Sequence, residues 1–165
     1  MEAMFAKMTH MHYWLLKSEP QTYSIDDLKR ERIGVWDGVR NYQARNNLRA
    51  MQKGDVCFFY HSSTAVPAIV GTATVVRTAY PDPSQFKRGG AYYEPRASEV
   101  QPVWDAIEVQ FKKRFAEPIN LAVLKNDPKL AGMPLLTPGS RLSVQPISKE
   151  HYARIIKMYG GSVRE

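Results

Sequence analysis

Short runs of aromatic and β-branched residues, each closed by proline or glycine, constrain this chain most strongly, because they limit it to a sheet of several strands. Asp55 to His61 and Ala68 to Arg77, with Pro67 between them, read as neighbouring strands. His12 to Lys17 is another such run. Pro20 biases Glu19 away from the helical region, so Ser18-Glu19-Pro20 reads as the turn that ends it. Trp104 to Phe111 alternates at its end: Ile107, Val109 and Phe111 face one way, and Glu108, Gln110 and Lys112 the other. That strand has one wet face. Leu142 to Val144 belongs to a last strand. The helices are few and short. Ser24 and Asp27 give a capping-box pattern for a helix that Gly34 ends. From Asn41 to Gln52, Ala44, Leu48 and Met51 form one buried stripe, and Gly54 follows. Asn120 to Lys125 is a helical turn cut off by Pro128. Ser148 caps a terminal helix that packs through Tyr152, Ile155, Ile156 and Tyr159 and stops at Gly160-Gly161. Helices scattered in this way among strands favour an α+β mixed sheet or small barrel over a doubly wound fold.

The stretch Trp36-Asp37-Gly38-Val39-Arg40-Asn41 places an aromatic-acidic-glycine loop directly before a helix that Asn41 is suited to cap. A loop held at a helix N-terminus offers a flat ring, a carboxylate acceptor, backbone N–H donors and a guanidinium within a few residues. Those groups can grip a nucleobase. The same residues also suit a buried Trp beside a turn glycine with solvated arginines, since aromatic residues mostly serve cores.

Other segments recur with it in a fixed order: Tyr13-Trp14-Leu15-Leu16-Lys17-Ser18-Glu19-Pro20 upstream, then Phe58-Phe59-Tyr60-His61-Ser62, Ala79-Tyr80-Pro81-Asp82-Pro83 and Arg141-Leu142-Ser143-Val144. Together they closely resemble the EVE domain family, over residues 12 to 158. The resemblance implies a PUA-like fold, related to YTH and ASCH domains, that binds modified bases in nucleic acid. It implies one EVE domain over residues 12–160, preceded by a flexible tail of residues 1–11 in which Met4, Met8 and Met11 leave the true start open. It also places a base pocket on Lys17, Ser18, Trp36, Asp37, Val39, Arg40, Asn41, His61, Ser62, Tyr80, Pro81 and Asp82. In that pocket Trp36 is expected to stack on the base and Asp37 or Asn41 to read its edge, as a carboxylate can accept from the N4 amino group of cytosine. Val39, Pro81 and Ser18 would then wall a recess for an added methyl or hydroxymethyl group. Extruding a base from a duplex costs a few kcal/mol, which stacking and edge pairing offset.

Charge supports the same partner. A formal charge of +7 draws polyanions, and the basic residues are interleaved with 9 Tyr, 6 Phe and 3 Trp, which suits a surface that stacks bases while holding phosphates. Lys87, Arg88 and Arg96 beside the proline- and glycine-rich stretch from Tyr80 to Ser98, and the run Lys112-Lys113-Arg114, are the expected phosphate contacts.

Enzymatic readings ask for more. Ser18, Asp37 and His61 are the right types for a hydrolase, but no nucleophile-elbow motif surrounds Ser18. His61 could act as general base in a metal-independent ribonuclease of the ASCH type, with Arg40 or Lys17 as the cation, so that class stands as the alternative to a binding module. With 4 His and 1 Cys, and no CxxC or HxxxH spacing, neither metal nor cofactor is expected. Cys57, in an apolar run, reads as a small buried hydrophobe. The chain shows no secretory signal pattern and no stretch of membrane-spanning length, so a cytoplasmic protein with access to the nucleoid is expected. The sequence names no nuclease or restriction partner.

Overall fold

The computed structural model describes residues 11–159. The expected tail over residues 1–10 and the stop at Gly160-Gly161 lie outside the described residues. The fold is α+β. Six strands, β1 (Tyr13–Ser18), β2 (Ile33–Trp36), β3 (Val56–His61), β4 (Ala68–Pro81), β5 (Asp105–Asn120) and β6 (Val144–Ile147), form one mixed sheet ordered β2-β5-β4-β3-β1-β6. Only β1 and β3 pair in parallel; every other neighbouring pair is antiparallel. Four short helices pack on it: α1 (Ile25–Glu31), α2 (Tyr42–Ala50), α3 (Leu121–Lys125) and α4 (Lys149–Tyr159).

The central strands are apolar throughout because both of their faces are covered. Trp14, Leu16, Cys57 and Phe59 turn to a core shared with α1 and α2, whereas Leu15, Phe58 and Tyr60 turn to a second core capped by Leu124 of α3 and Ile155 of α4. Caps fix the helix starts. Ser24 and Asp27 form the complete capping box of α1, Asn41 accepts from the Ala44 amide at α2, and Ser148 accepts from the His151 amide at α4.

Three elements differ from the sequence-based expectation. Gly34 does not end α1. That helix stops at Glu31, with Arg32 at φ 70, and Gly34 lies inside β2, where a side chain would collide with the Tyr23 hydroxyl. β4 runs on to Pro81, so Tyr80 and Pro81 are strand residues paired with Ala106 and Asp105. β5 does not stop at Phe111 but continues to Asn120, which puts Lys112, Lys113 and Arg114 mid-strand. The long β4–β5 pair absorbs its length through four register shifts, each a local bend.

Asp55 locks the first strand to this frame. Its buried carboxylate accepts from the Trp14 indole at 2.9 Å, the Gln52 amide at 2.9 Å and the His12 amide at 3.3 Å. Asp55→Ala leaves the buried indole N–H unpaired and is expected to destabilise the fold by about 3 kcal/mol, read by urea unfolding.

Candidate functional site

The strand ends that the sheet brings together leave a pocket of ≈ 420 Å³ between β1, β2 and the loops after them. Lys17 and Ser18 supply one wall from the end of β1, Ser143 stands beside them, and Trp36 to Arg40 supply the other wall. Backbone and side-chain bonds position the first wall: the Lys17 amide donates to the Ser143 carbonyl at 2.9 Å, and Ser18 Oγ to the Tyr23 carbonyl at 2.7 Å. The Tyr23 hydroxyl donates in turn to Glu31 Oε2 at 2.6 Å, tying the pocket to α1.

The second wall depends on Asp82. This side chain is fully buried, and its carboxylate accepts from the Gly38 amide at 2.9 Å, Arg40 Nη1 at 2.9 Å, the Ser84 amide at 2.8 Å and Ser84 Oγ at 2.6 Å. Burial alone would raise its pKa; the hydrogen bonds from Ser84, Gly38 and Arg40 outweigh burial and hold it below the ordinary carboxylate value. Arg40 has no nitrogen left over. Nε and Nη2 both donate to the Tyr92 carbonyl, Nη2 also to Ser84 Oγ, and Nη1 also to the Val39 carbonyl. Its guanidinium lies 5.4 Å from the centre of the Tyr92 ring and 5.5 Å from that of Trp104. Gly38, at φ +74, sits beneath Tyr92, so close that a Cβ would come within 2.9 Å of the ring. The loop conformation, and not only space, excludes a side chain there.

What remains free in the pocket is chemically simple. Asp37 is exposed at the mouth, and crowding still raises its carboxyl: desolvation first, then the neighbouring charge of Asp82, against its own amide, Arg40 and Lys87. Lys17 is half-buried with no ion pair among the described residues, and desolvation lowers its pKa. Tyr92 is an exposed ring at the rim. Val39 and Trp36 form an apolar floor. An aromatic rim, a carboxylate, hydroxyls and a lysine over an apolar floor can hold a flat polar heterocycle that carries a small apolar substituent.

Comparison with known proteins agrees with the fold. The EVE domain family model matches residues 12–158. The chain belongs to the EVE domain family. It is 42% identical to thymocyte nuclear protein 1 of Mus musculus, over 89% of this chain and 73% of that protein. A hypothetical protein from Leishmania major superposes with a TM-score of 0.89 at 45% identity, covering 94% of this chain and 99% of that one. The human THYN1 protein, solved in complex with 5-methylcytosine containing DNA, superposes with a TM-score of 0.82 at 39% identity, covering 93% of this chain and 99% of that one. The mixed sheet with its short helices is thus an EVE domain of α+β, PUA-like type.

In this EVE domain, six of the residues expected at a base pocket line it: Lys17, Ser18, Trp36, Asp37, Val39 and Arg40. Trp36 does so from the core, only 7% exposed and edge-on to Phe59 at 5.3 Å, so it is a floor and not a free ring. Asn41 is occupied as the α2 cap, and Asp82 acts from behind the wall. Tyr80 and Pro81 are held in β4, with Tyr80 under Arg77 at 3.6 Å. Ser62 faces a separate cavity. His61 Nε2 accepts from the Ile25 amide at the start of α1, and desolvation holds the imidazole pKa low. It is neutral, with the lone pair that a general base needs already engaged.

Among the expected phosphate contacts, Arg96 is paired with Glu94 at 2.7 Å and Arg114 with Asp26 at 2.9 Å. Lys87, Arg88, Lys112 and Lys113 have no ion pair among the described residues, and Lys87 is near enough to act on Asp37. Sequence reasoning missed Tyr92, Tyr23, Thr22 and Val35 as pocket residues. Only the length of the loop that holds Tyr92 signalled anything there.

Asp82→Ala strands the Arg40 charge and is expected to cost about 3–5 kcal/mol of stability, measured by denaturant unfolding. Because the folded carboxyl titrates below its unfolded value, the stabilisation is complete above about pH 4 and is lost as pH falls through the folded pKa. The variant should therefore show a shallower loss of stability than the parent as pH falls below about 4.

Proposed function

We propose that this chain is a nucleic-acid-binding module that takes 5-methylcytosine from DNA into the pocket at whose rim Tyr92 stands. The observation that carries the reading is the pocket, with a carboxylate free of ion pairs among the described residues and an apolar floor, in a chain 39% identical over nearly its whole length to a human protein solved with 5-methylcytosine containing DNA. The base stacks against Tyr92. Asp37 accepts from the N4 amino group, and Val39 receives the methyl group. Arg40 contributes through shape and not by contact, since its donors are spent on Asp82, Ser84, Val39 and Tyr92.

Magnitudes bound the selectivity. Burying one methyl group is worth about 0.8 kcal/mol, a preference of about fourfold for the methylated base from contact alone. Fluorescence anisotropy on short oligonucleotides that differ in one methyl group measures it, and equal affinity for the two would overturn the reading.

Two further outcomes are expected. Tyr92→Ala should weaken oligonucleotide binding by roughly 1–3 kcal/mol, the value of one lost stacked base, with little change in urea midpoint because the ring is exposed. The ionised Asp37 carboxylate is a stronger acceptor than its protonated form, and its pKa is raised. Affinity should therefore fall as pH drops, beginning above the range in which an ordinary aspartate titrates. Asp37→Asn retains an acceptor that does not titrate, so anisotropy titrations of this variant should show a flatter pH profile.

A further inference from the structure

Lys17 lines two cavities. On its far side lies a second one of ≈ 220 Å³, bounded by the turn after β3, the turn before β6 and the end of α3; Lys17 is the one residue common to the linings of both. The second lining contains a second lysine, Lys125, and the hydroxyl-bearing residues Tyr60, Ser62, Ser63, Thr137 and Ser140, but no aspartate or glutamate. Neither lysine has a carboxylate partner among the described residues, and the Lys17 ammonium reaches only the Ser140 carbonyl, at 3.4 Å. Two lysines without a carboxylate partner beside five hydroxyl-bearing residues suit an anion.

We propose that this cavity holds the sugar-phosphate of the nucleotide adjacent to the flipped base, with Lys17 set between base and phosphate and Lys125 gripping the phosphate from the opposite wall. The proposal rests on the base-reading function above and adds to it a defined path for the strand. A nucleotide whose base enters the first pocket can carry its backbone out past the wall that Lys17 forms. The cavity that shares this wall is the lysine-bearing one. Partial burial also destabilises the Lys17 charge, so a phosphate arriving there relieves a cost that the free protein bears. Contacts of this kind set register and add no sequence selectivity.

The test is a linkage scan. Short single strands with one 5-methylcytosine receive a neutral methylphosphonate at one linkage at a time, and each is titrated against the parent, Lys125→Ala, Lys17→Met and Lys129→Ala. Lys125 and Lys129 are exposed, so their variants should fold normally; Lys17→Met keeps the apolar stem, and its fold is checked by melting. Lys125→Ala and Lys17→Met should each weaken binding and lower the salt slope by about 0.7. Their penalty should vanish at a single linkage beside the modified base. Lys129→Ala, outside the cavity, should bind as the parent does. A loss shared equally by all linkages, or no loss in the Lys125 variant, overturns the second site while a retained preference for the methylated base leaves the reading intact. A parent protein with no preference for the methylated base overturns the reading, and the second site with it.

Discussion

A single buried carboxylate holds the candidate site in shape. Asp82 caps the turn that holds Ser84, which gives it two hydrogen bonds, and it reaches across to the Gly38–Arg40 loop with two more, while Arg40 Nη2 to Ser84 Oγ ties the same segments together. A buried charge without partners would be untenable, and here it is saturated. Arg40 then extends the clamp to the Tyr92 carbonyl, so the rim of the pocket is anchored through the same pair of charges that forms its wall. Pocket shape is therefore present before any ligand arrives, and binding need not order the loop.

The sheet makes that meeting possible. β2 and the end of β4 lie on either side of β5, and the register shifts along β4 and β5 bend the strands, while β4 delivers Asp82 directly from its last residue, Pro81. On the other side, β1 ends at Ser18 beside the segment leading into β6. Both cavities described here open at these strand ends, and Lys17 stands between them. The polar groups thus rise from a rigid two-faced core and not from loops alone.

Legibility in the sequence followed the range of the interactions. Caps at Ser24, Asn41 and Ser148 were readable because each acts within three residues. The doubly buried strands β1 and β3 were readable from continuous apolar runs. β2 was not: Gly34 looks like a helix stop, and its strand identity comes from pairing with Val109, far along the chain. The chemistry of Arg40 and Asp82 could be named from residue type and family resemblance, yet their real function as a mutual clamp depends on partners 42 positions apart. His61 likewise looks reactive in sequence, and only the Ile25 amide, 36 positions away, shows what engages its ring. Tyr92, in a loop without regular structure, left no periodic trace at all.

The central claim is that a methylated cytosine enters the pocket that the Asp82–Arg40 clamp preforms. The most direct measurement is a backbone NMR titration with a short strand carrying one 5-methylcytosine, followed residue by residue. The account predicts saturable shifts concentrated at Ser18, Trp36 to Arg40, Tyr92 and Ser143, with the remote Asp127–Arg154 pair unmoved. Shifts spread over the exposed lysines, with Gly38 and Tyr92 unaffected, would contradict it.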